Sequence, residues 1–228
     1  QIGVSLTTTN DILGRSFASS SLFSSGSNDK LTSINLSTLS LETEISKNVV
    51  VKVSSSYRTM KSASNVFGLD FYTDDTFSEV KSQLKQSEVN LSLTLTPNRK
   101  TTGYGVERTT VNGNHPTIYL GFSQGFKGIL ESDFEYSKAQ LFYRQPWQLG
   151  GFGRLFSNIE IGKTFGSVPL GLLSVIPGNQ AYFSIFNTFP LLDYYDFVTD
   201  TYASVHLEHN FNGRIFSRIP FLKKLNLR

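Results

Sequence analysis

The sequence predicts an all-β protein, an antiparallel transmembrane meander β-barrel of which this chain forms an incomplete part. Three observations predict it: apolar and polar residues alternate with period 2 over segments of about ten residues, aromatic residues gather near the segment ends, and charges keep to one face. Alternation alone also suits a soluble β-sandwich. Segments longer than the usual five or six residues, together with the aromatic ends, favour strands that cross a bilayer at a tilt.

Composition agrees. At 39% hydrophobic the chain is too polar for a helical membrane protein, while 13% aromatic with abundant Ser and Thr favours strands. No segment offers the roughly 20 consecutive apolar residues of a spanning helix. The closest approach, 164–192, carries no charged residue or His, but Pro169, Pro177, Gly178 and Pro190 interrupt it. No signal peptide is visible, and the absence of Cys excludes disulfides and thiolate metal sites.

Along the chain, Leu39, Leu41 and Ile45 alternate with Ser40, Glu42 and Glu44. Val49, Val51 and Val53 alternate mostly with polar residues such as Lys52 and Ser54. The clearest stripe is Ser87–Thr96, where Val89, Leu91, Leu93 and Leu95 are expected to face lipid and Glu88, Asn90, Ser92 and Thr94 the lumen. Further stripes are Ile118, Leu120 and Phe122; Leu155, Ile159 and Ile161 between Asn158 and Glu160; and Ala203, Val205 and Leu207 between Ser204, His206 and Glu208. Tyr119, Phe134, Tyr136, Tyr143, Trp147, Tyr195 and Tyr202 are among the aromatics placed at the interfacial girdles.

Turn signals divide these strands into a meander. Ser46-Lys47-Asn48 is short, 59–86 is a long polar excursion, Pro97–Thr101 is short, and Asn112–Pro116 is a rigid turn. Short turns face the periplasm in bacterial barrels, which places 59–86 outside. The same parity places Asp193–Asp200 in an extracellular hairpin. The Pro and Gly pattern of 164–181 predicts irregular backbone at the periplasmic rim or folded into the lumen, since such backbone cannot face lipid.

Little in the sequence points to catalysis. His206 and Glu208 share a strand face from which His209 points away, so three converging ligands are not expected and polar lumen positions explain the first two. Gly150-Gly151-Phe152-Gly153 lacks the Lys-Ser/Thr pair and helix of a phosphate loop and reads as a hairpin turn. No Ser lies in a nucleophile elbow. No catalytic, cofactor or metal residues are assigned. Net charge is +3, and the basic run Arg214, Arg218, Lys223, Lys224, Arg228 suits a solvated strand end better than nucleic acid. Lys138, Asn158 and Glu160 are expected to meet across the hairpin through Pro146–Gly151, Lys138 opposite Asn158 and Glu160 one diagonal away, neutralising charge inside the barrel.

From about His115 onward the sequence resembles a family of Bacteroidota outer-membrane barrels of unknown function that follow a carboxypeptidase-regulatory-like domain. The resemblance is carried by Gly125-Phe126-Lys127-Gly128 leading to Ser132-Asp133-Phe134-Glu135-Tyr136-Ser137-Lys138, then Gly162-Lys163-Thr164-Phe165-Gly166 with Pro169 and Pro177-Gly178-Asn179. It continues through Asp193-Tyr194-Tyr195-Asp196-Phe197 and Tyr202, His206 to Phe211-Asn212-Gly213, and Arg218-Ile219-Pro220. Asn210 stands where family members often carry a second His, and Asp196 where they carry Glu. The family continues with several strands after the position of Arg228, so the resemblance implies further strands there and a periplasmic domain before Gln1, with 1–228 a portion of the barrel. The family barrel is similar to the BamA/TamA insertase superfamily, an analogy of fold.

The resulting expectation is a non-enzymatic protein of the bacterial outer membrane that assists assembly or translocation of other proteins, as a subunit of a larger envelope complex. A passive channel and a structural barrel subunit are the alternatives. Its partners are the lipid bilayer and other envelope proteins, with no nucleic acid and no small-molecule substrate.

Overall fold

The computed structural model describes residues 2–5, 32–63, 66–73, 78–104, 108–178, 187–193, 195–214 and 218. Every described element is β-strand or short 3-10 turn. Eight strands form one sheet: β1 (Ile2–Ser5), β2 (Thr32–Ser46), β3 (Val49–Ser62), β4 (Gln83–Leu95), β5 (Thr117–Phe126), β6 (Tyr136–Gln148), β7 (Arg154–Phe165) and β8 (Thr201–Asn210). Each pairs antiparallel with its neighbours in chain order, which is the meander that the turn signals predict. Among the described residues β1 and β8 are not joined, so the sheet is open. No helix is long and apolar enough to cross a membrane, which says nothing of crossing by strands.

Polarity across the sheet is inverted relative to a water-soluble protein. On the bare face one unbroken apolar row runs Val51, Leu93, Leu120, Leu141, Ile161, Ala203, each residue directly opposite the next. A second row runs Val49, Leu95, Ile118, Tyr143, Ile159, Val205. Leu91, Val205 and Leu207 are 49%, 57% and 68% exposed, whereas Glu88, Lys138, Asn158 and Glu160 on the other face are buried. Lys163 is a charged exception on the bare face; its ammonium lies 5.3 Å from the Phe165 ring near the strand end, where a long stem can carry it clear of apolar surface.

Connections at the two ends differ in length. At one end lie the two-residue turn Lys47-Asn48, with Asn48 left-handed (φ 66°), the tight 149–153 turn, and the connection 96–116. The other end carries 63–82, 127–135 and 166–200. Long connections fold back over the polar face, where Ile34, Met60, Leu69, Phe71, Leu84, Tyr136, Leu172 and Tyr195 form a small core. The sheet thus has a bare apolar face and a face covered by the protein's own chain.

Several expectations need correction. Pro97–Thr101 and Asn112–Pro116 do not flank a spanning strand; both belong to 96–116, which carries a two-residue ribbon, Thr101–Thr102 against Thr109–Thr110. The excursion expected over 59–86 is shorter, since β3 continues to Ser62 and β4 begins at Gln83. In the β6–β7 hairpin the strand continues through Pro146 to Gln148, which moves Lys138 opposite Thr164, Arg144 opposite Asn158 and Phe142 opposite Glu160. The pairing of Lys138 with Asn158 is therefore wrong. Proline is tolerated in β6 because β5 pairs it only as far as Arg144, leaving Pro146 with a partner strand on one side.

The connection after β7 leaves at the end opposite the Lys47-Asn48 turn, not at the rim shared with it, and its described residues Leu172 and Asn187 contact the polar face. Its described backbone is irregular apart from the 3-10 turn Leu170–Leu172 and the two-residue ribbon Ser174–Val175 with Val198–Thr199. That part of the expectation matches 166–178 outside the ribbon, whereas Thr164 and Phe165 complete β7 instead.

Candidate functional site

The polar residues of the covered face converge in two clusters. In the first, Arg58 on β3 and Tyr136 on β6 both bond to the Glu88 carboxylate on β4, and Arg58 Nη2 also lies 2.9 Å from the Tyr136 hydroxyl. A guanidinium and a phenol together satisfy a carboxylate that is only 4% exposed, the condition under which burying a charge is tolerable. Tyr136 reaches that position because it stands directly opposite Gly125, which has no side chain to block its ring.

The second cluster repeats the arrangement on β6, β7 and β8. Glu160 accepts hydrogen bonds from Gln140 Nε2 and, at 2.8 Å, from the Tyr202 hydroxyl. Tyr202 stands directly opposite Gly162. Between the clusters Lys138 is buried, donates to the Leu172 carbonyl and holds its ammonium 5.0 Å from the Tyr136 ring. Asn158 donates from Nδ2 to Asn187 Oδ1 at 3.0 Å. Both contacts tie the 166–200 connection down onto the sheet. His206 also faces this connection, its ring 4.5 Å from that of Phe189.

Asn90 bridges β3 and β5, bonding Ser56 Oγ at 3.3 Å and accepting from Ser123. Glu208 occupies the same strand face as His206 but is exposed, and His209 points the other way with Nε2 2.9 Å from the Phe152 carbonyl. Among the described residues no group of three His, Asp or Glu could hold a metal ion. Of the partners of the two carboxylates, Arg58 and Gln140 carry no signal of this role in the sequence, and Tyr136 and Tyr202 are expected at the girdles instead. The available signal was a Gly within a strand, at 125 and 162, which marks the close approach of another group.

The family motifs are mostly devices of chain geometry. Gly128 is left-handed (φ 83°) and its N–H donates to the Ser132 carbonyl, while the Asp133 carboxylate accepts from the Lys85 backbone N–H at 2.8 Å and from Lys81 Nζ at 3.1 Å. Together they fasten the 127–135 connection to β4. The Pro177 carbonyl accepts from the Phe189 N–H, and a Cβ on Gly178 would come within 2.3 Å of the Leu192 carbonyl oxygen. Asn212 and Gly213 are both left-handed (φ 55° and 76°) and end β8, with Phe211 stacked 3.9 Å from His209. Asn179 and Tyr194 lie outside the described residues. Four aromatics assigned to the girdles face elsewhere: Tyr136 and Tyr202 serve the carboxylates, Tyr195 packs on Phe67 at 4.9 Å, and Phe134 packs on Phe71 at 5.2 Å. Trp147 remains at an exposed strand end on the bare face, its indole N–H donating to Ser157.

Among the described residues this inventory contains one buried ion pair, Arg58 with Glu88, a second buried carboxylate held by neutral donors, and anchors for a covering segment. Residues 18–228 match the C-terminal domain of a family of unknown function, DUF5686. The chain belongs to that family. Neither the curated proteins nor the solved structures contain a match to it. The DUF5686 C-terminal domain is accordingly read from its own geometry.

Proposed function

We propose that this DUF5686 C-terminal domain is the membrane-spanning wall of a non-enzymatic β-barrel in a bacterial outer membrane, working in the assembly or translocation of other proteins there. The observation that carries the membrane reading is the inverted polarity. The bare face is a continuous apolar belt six strands wide, the arrangement a lipid-facing surface requires and a water-facing one avoids. β2 to β7 each have a partner strand on both sides, so their backbone groups are satisfied within the sheet, as hydrocarbon demands. On this reading the covered face is the lumen, and 63–82, 127–135 and 166–200 are external.

The covering of the polar face by 166–200 favours an assembly or structural barrel over a passive channel, which needs an open charged lumen. Between those two, the resemblance to Bacteroidota barrels and to the BamA/TamA superfamily supports assembly. A structural subunit of an envelope complex is the second reading, favoured by the two buried carboxylates, each held by donors from two other strands.

The test is detergent extraction of the full-length protein followed by gel mobility before and after heating, then conductance in planar bilayers. A heat-modifiable, membrane-extracted protein with low conductance is expected. Extraction into buffer without detergent would overturn the membrane reading, and stable large conductance would favour the channel.

A further inference from the structure

Between the polar face of the sheet and the described residues of the connection after β7 lies a cavity of about 50 Å³, the space of roughly four water molecules. Lys138, Glu160 and Thr164 line its sheet side, and Val175, Pro177 and Phe189 line the other.

Its two ends carry opposite charge that the chain does not balance locally. At one end Arg58 and Lys138 are both buried beside Tyr136 and share a single buried carboxylate, Glu88, an excess of one positive charge. The Lys138 ammonium has one hydrogen-bond acceptor, the Leu172 carbonyl, and no ion pair among the described residues. At the other end the buried Glu160 receives only the neutral donors Gln140 and Tyr202, an excess of one negative charge. Both bonds fall on Oε1, so Oε2 has no hydrogen-bond partner among the described residues. Buried charges call for a counter-group.

A third group points the same way. Thr164 stands directly opposite Lys138 and is only 3% exposed, yet its hydroxyl has no hydrogen-bond partner. A buried hydroxyl in that condition is destabilising where a Val of the same shape is not, so its partner is to be sought outside the chain.

Spacing narrows the occupant. Gln140, Gly162 and Tyr202 form one row across the sheet, and the Glu160 carboxylate leans to that row to bond two of them. The row of Lys138 and Thr164 is the next on the same face, about 7 Å along the strand. Two hydrogen bonds of about 2.9 Å, meeting a ligand at an angle, leave between them a link of two carbons joining an anionic group to a cationic one.

We infer that this cavity binds a small free α-amino acid as its zwitterion, the carboxylate meeting Lys138 and the Thr164 hydroxyl and the ammonium meeting Glu160 Oε2. Its volume admits glycine or alanine and excludes larger side chains. A simple anion would leave Glu160 unmatched, and a simple cation Lys138. The site lies on the covered face and does not depend on what meets the bare one.

Equilibrium dialysis of the full-length protein in detergent against radiolabelled glycine tests this. Saturable retention is expected, displaced by excess alanine and not by acetate, methylamine or leucine. Thr164→Val should weaken glycine binding about tenfold without lowering the temperature at which the protein unfolds, because the hydroxyl bonds nothing within the chain. Glu160→Gln, which keeps an acceptor for Gln140 and Tyr202, should weaken binding at least as much, with circular dichroism reporting that it is folded. Displacement by acetate as effective as by alanine would reduce the cavity to an anion site and overturn the zwitterion. Wild-type protein that retains no glycine, or wild-type affinity in both variants, overturns the site itself. None of these outcomes bears on the barrel reading, which rests on the opposite face.

Discussion

The ring of Tyr136 fills the space that a side chain at Gly125 would need: a Cβ built there would lie 2.5 Å from Tyr136 Cε1. Tyr202 and Gly162 repeat the relationship, with a Cβ 2.3 Å from the ring, and in each pair the hydroxyl ends on a carboxylate. The glycine and the carboxylate are thus two requirements of one tyrosine.

Gly125→Ala and Gly162→Ala should each destabilise the protein by about 1–3 kcal/mol by displacing an aromatic ring from an enclosed position. Shrinking the partner as well, as in Gly125→Ala with Tyr136→Phe, should not restore stability, because the ring remains. The heating temperature at which the compact gel band is lost reports the effect. Wild-type values for both Ala variants would show that the rings have room to move.

Removing one member of the Arg58–Glu88 pair leaves the other charge buried. Arg58→Ala should cost about 3–5 kcal/mol, whereas replacing Arg58 with Met and Glu88 with Leu together should cost less than Arg58→Ala alone. Urea titration in lipid vesicles distinguishes the two, and a double variant less stable than Arg58→Ala would contradict the charge argument.

On the bare face, Leu93→Arg should cost about 2–4 kcal/mol if the position meets the bilayer midplane. The equivalent change at the strand end, Trp147→Arg, should cost markedly less. Equal effects at the two positions would argue against a depth-dependent apolar environment.

Lys138 holds the Leu172 carbonyl. Lys138→Met, similar in size and without the donor, should loosen the covering segment and speed proteolytic cleavage within 166–200 while leaving strand content unchanged by circular dichroism. Cleavage at the wild-type rate would mean that the apolar contacts of Leu172 hold the segment by themselves.

In the connection between β5 and β6, the hydrogen bond from Lys85 and then its charge hold the Glu131 carboxyl below the usual carboxylate range. A carboxyl whose folded value is depressed contributes stability above its unfolded value, and that contribution is lost as pH falls through the folded value. The loop amides of 129–132 should therefore exchange at a constant intrinsic-corrected rate from neutral pH down to the ordinary glutamate range and faster in stronger acid. Glu131→Gln should remove this acid-dependent step.

How far the fold could be read from sequence depended on which signal each segment carried. Period-2 alternation located β4 to within a few residues, because a strand with a continuous apolar stripe has only one way to present it. Turn chemistry was less informative. Pro97-Asn98 and Asn112-Gly113 both mark real bends, yet they are the two ends of one connection, because local turn signals do not report what lies between them. The stretch between, Thr-Gly-Tyr-Gly-Val-Glu-Arg-Thr, lacks the alternating stripe and should have argued against a strand. Pro146 misplaced the β6–β7 hairpin and, with it, every pairing of Lys138, Asn158 and Glu160. Glu88 and Glu160 were recognised as members of a polar face, but their partners come from strands 30 to 48 residues away in the first case and 20 to 42 in the second, distances over which periodicity is silent.

The position of the covering segment in the chain also bears on the order of assembly. Because 166–200 joins β7 to β8 and is anchored by residues of β6 and β7, its seat exists as soon as those two strands have paired. All sheet contacts up to that point are between neighbours in sequence, so hairpins can be added one after another from the Lys47-Asn48 turn. β8, by contrast, follows the segment and approaches from its far side. A β8 that docked early would have to do so around an unseated length of 35 residues, while one that docks late acts as a bolt across a segment already in place.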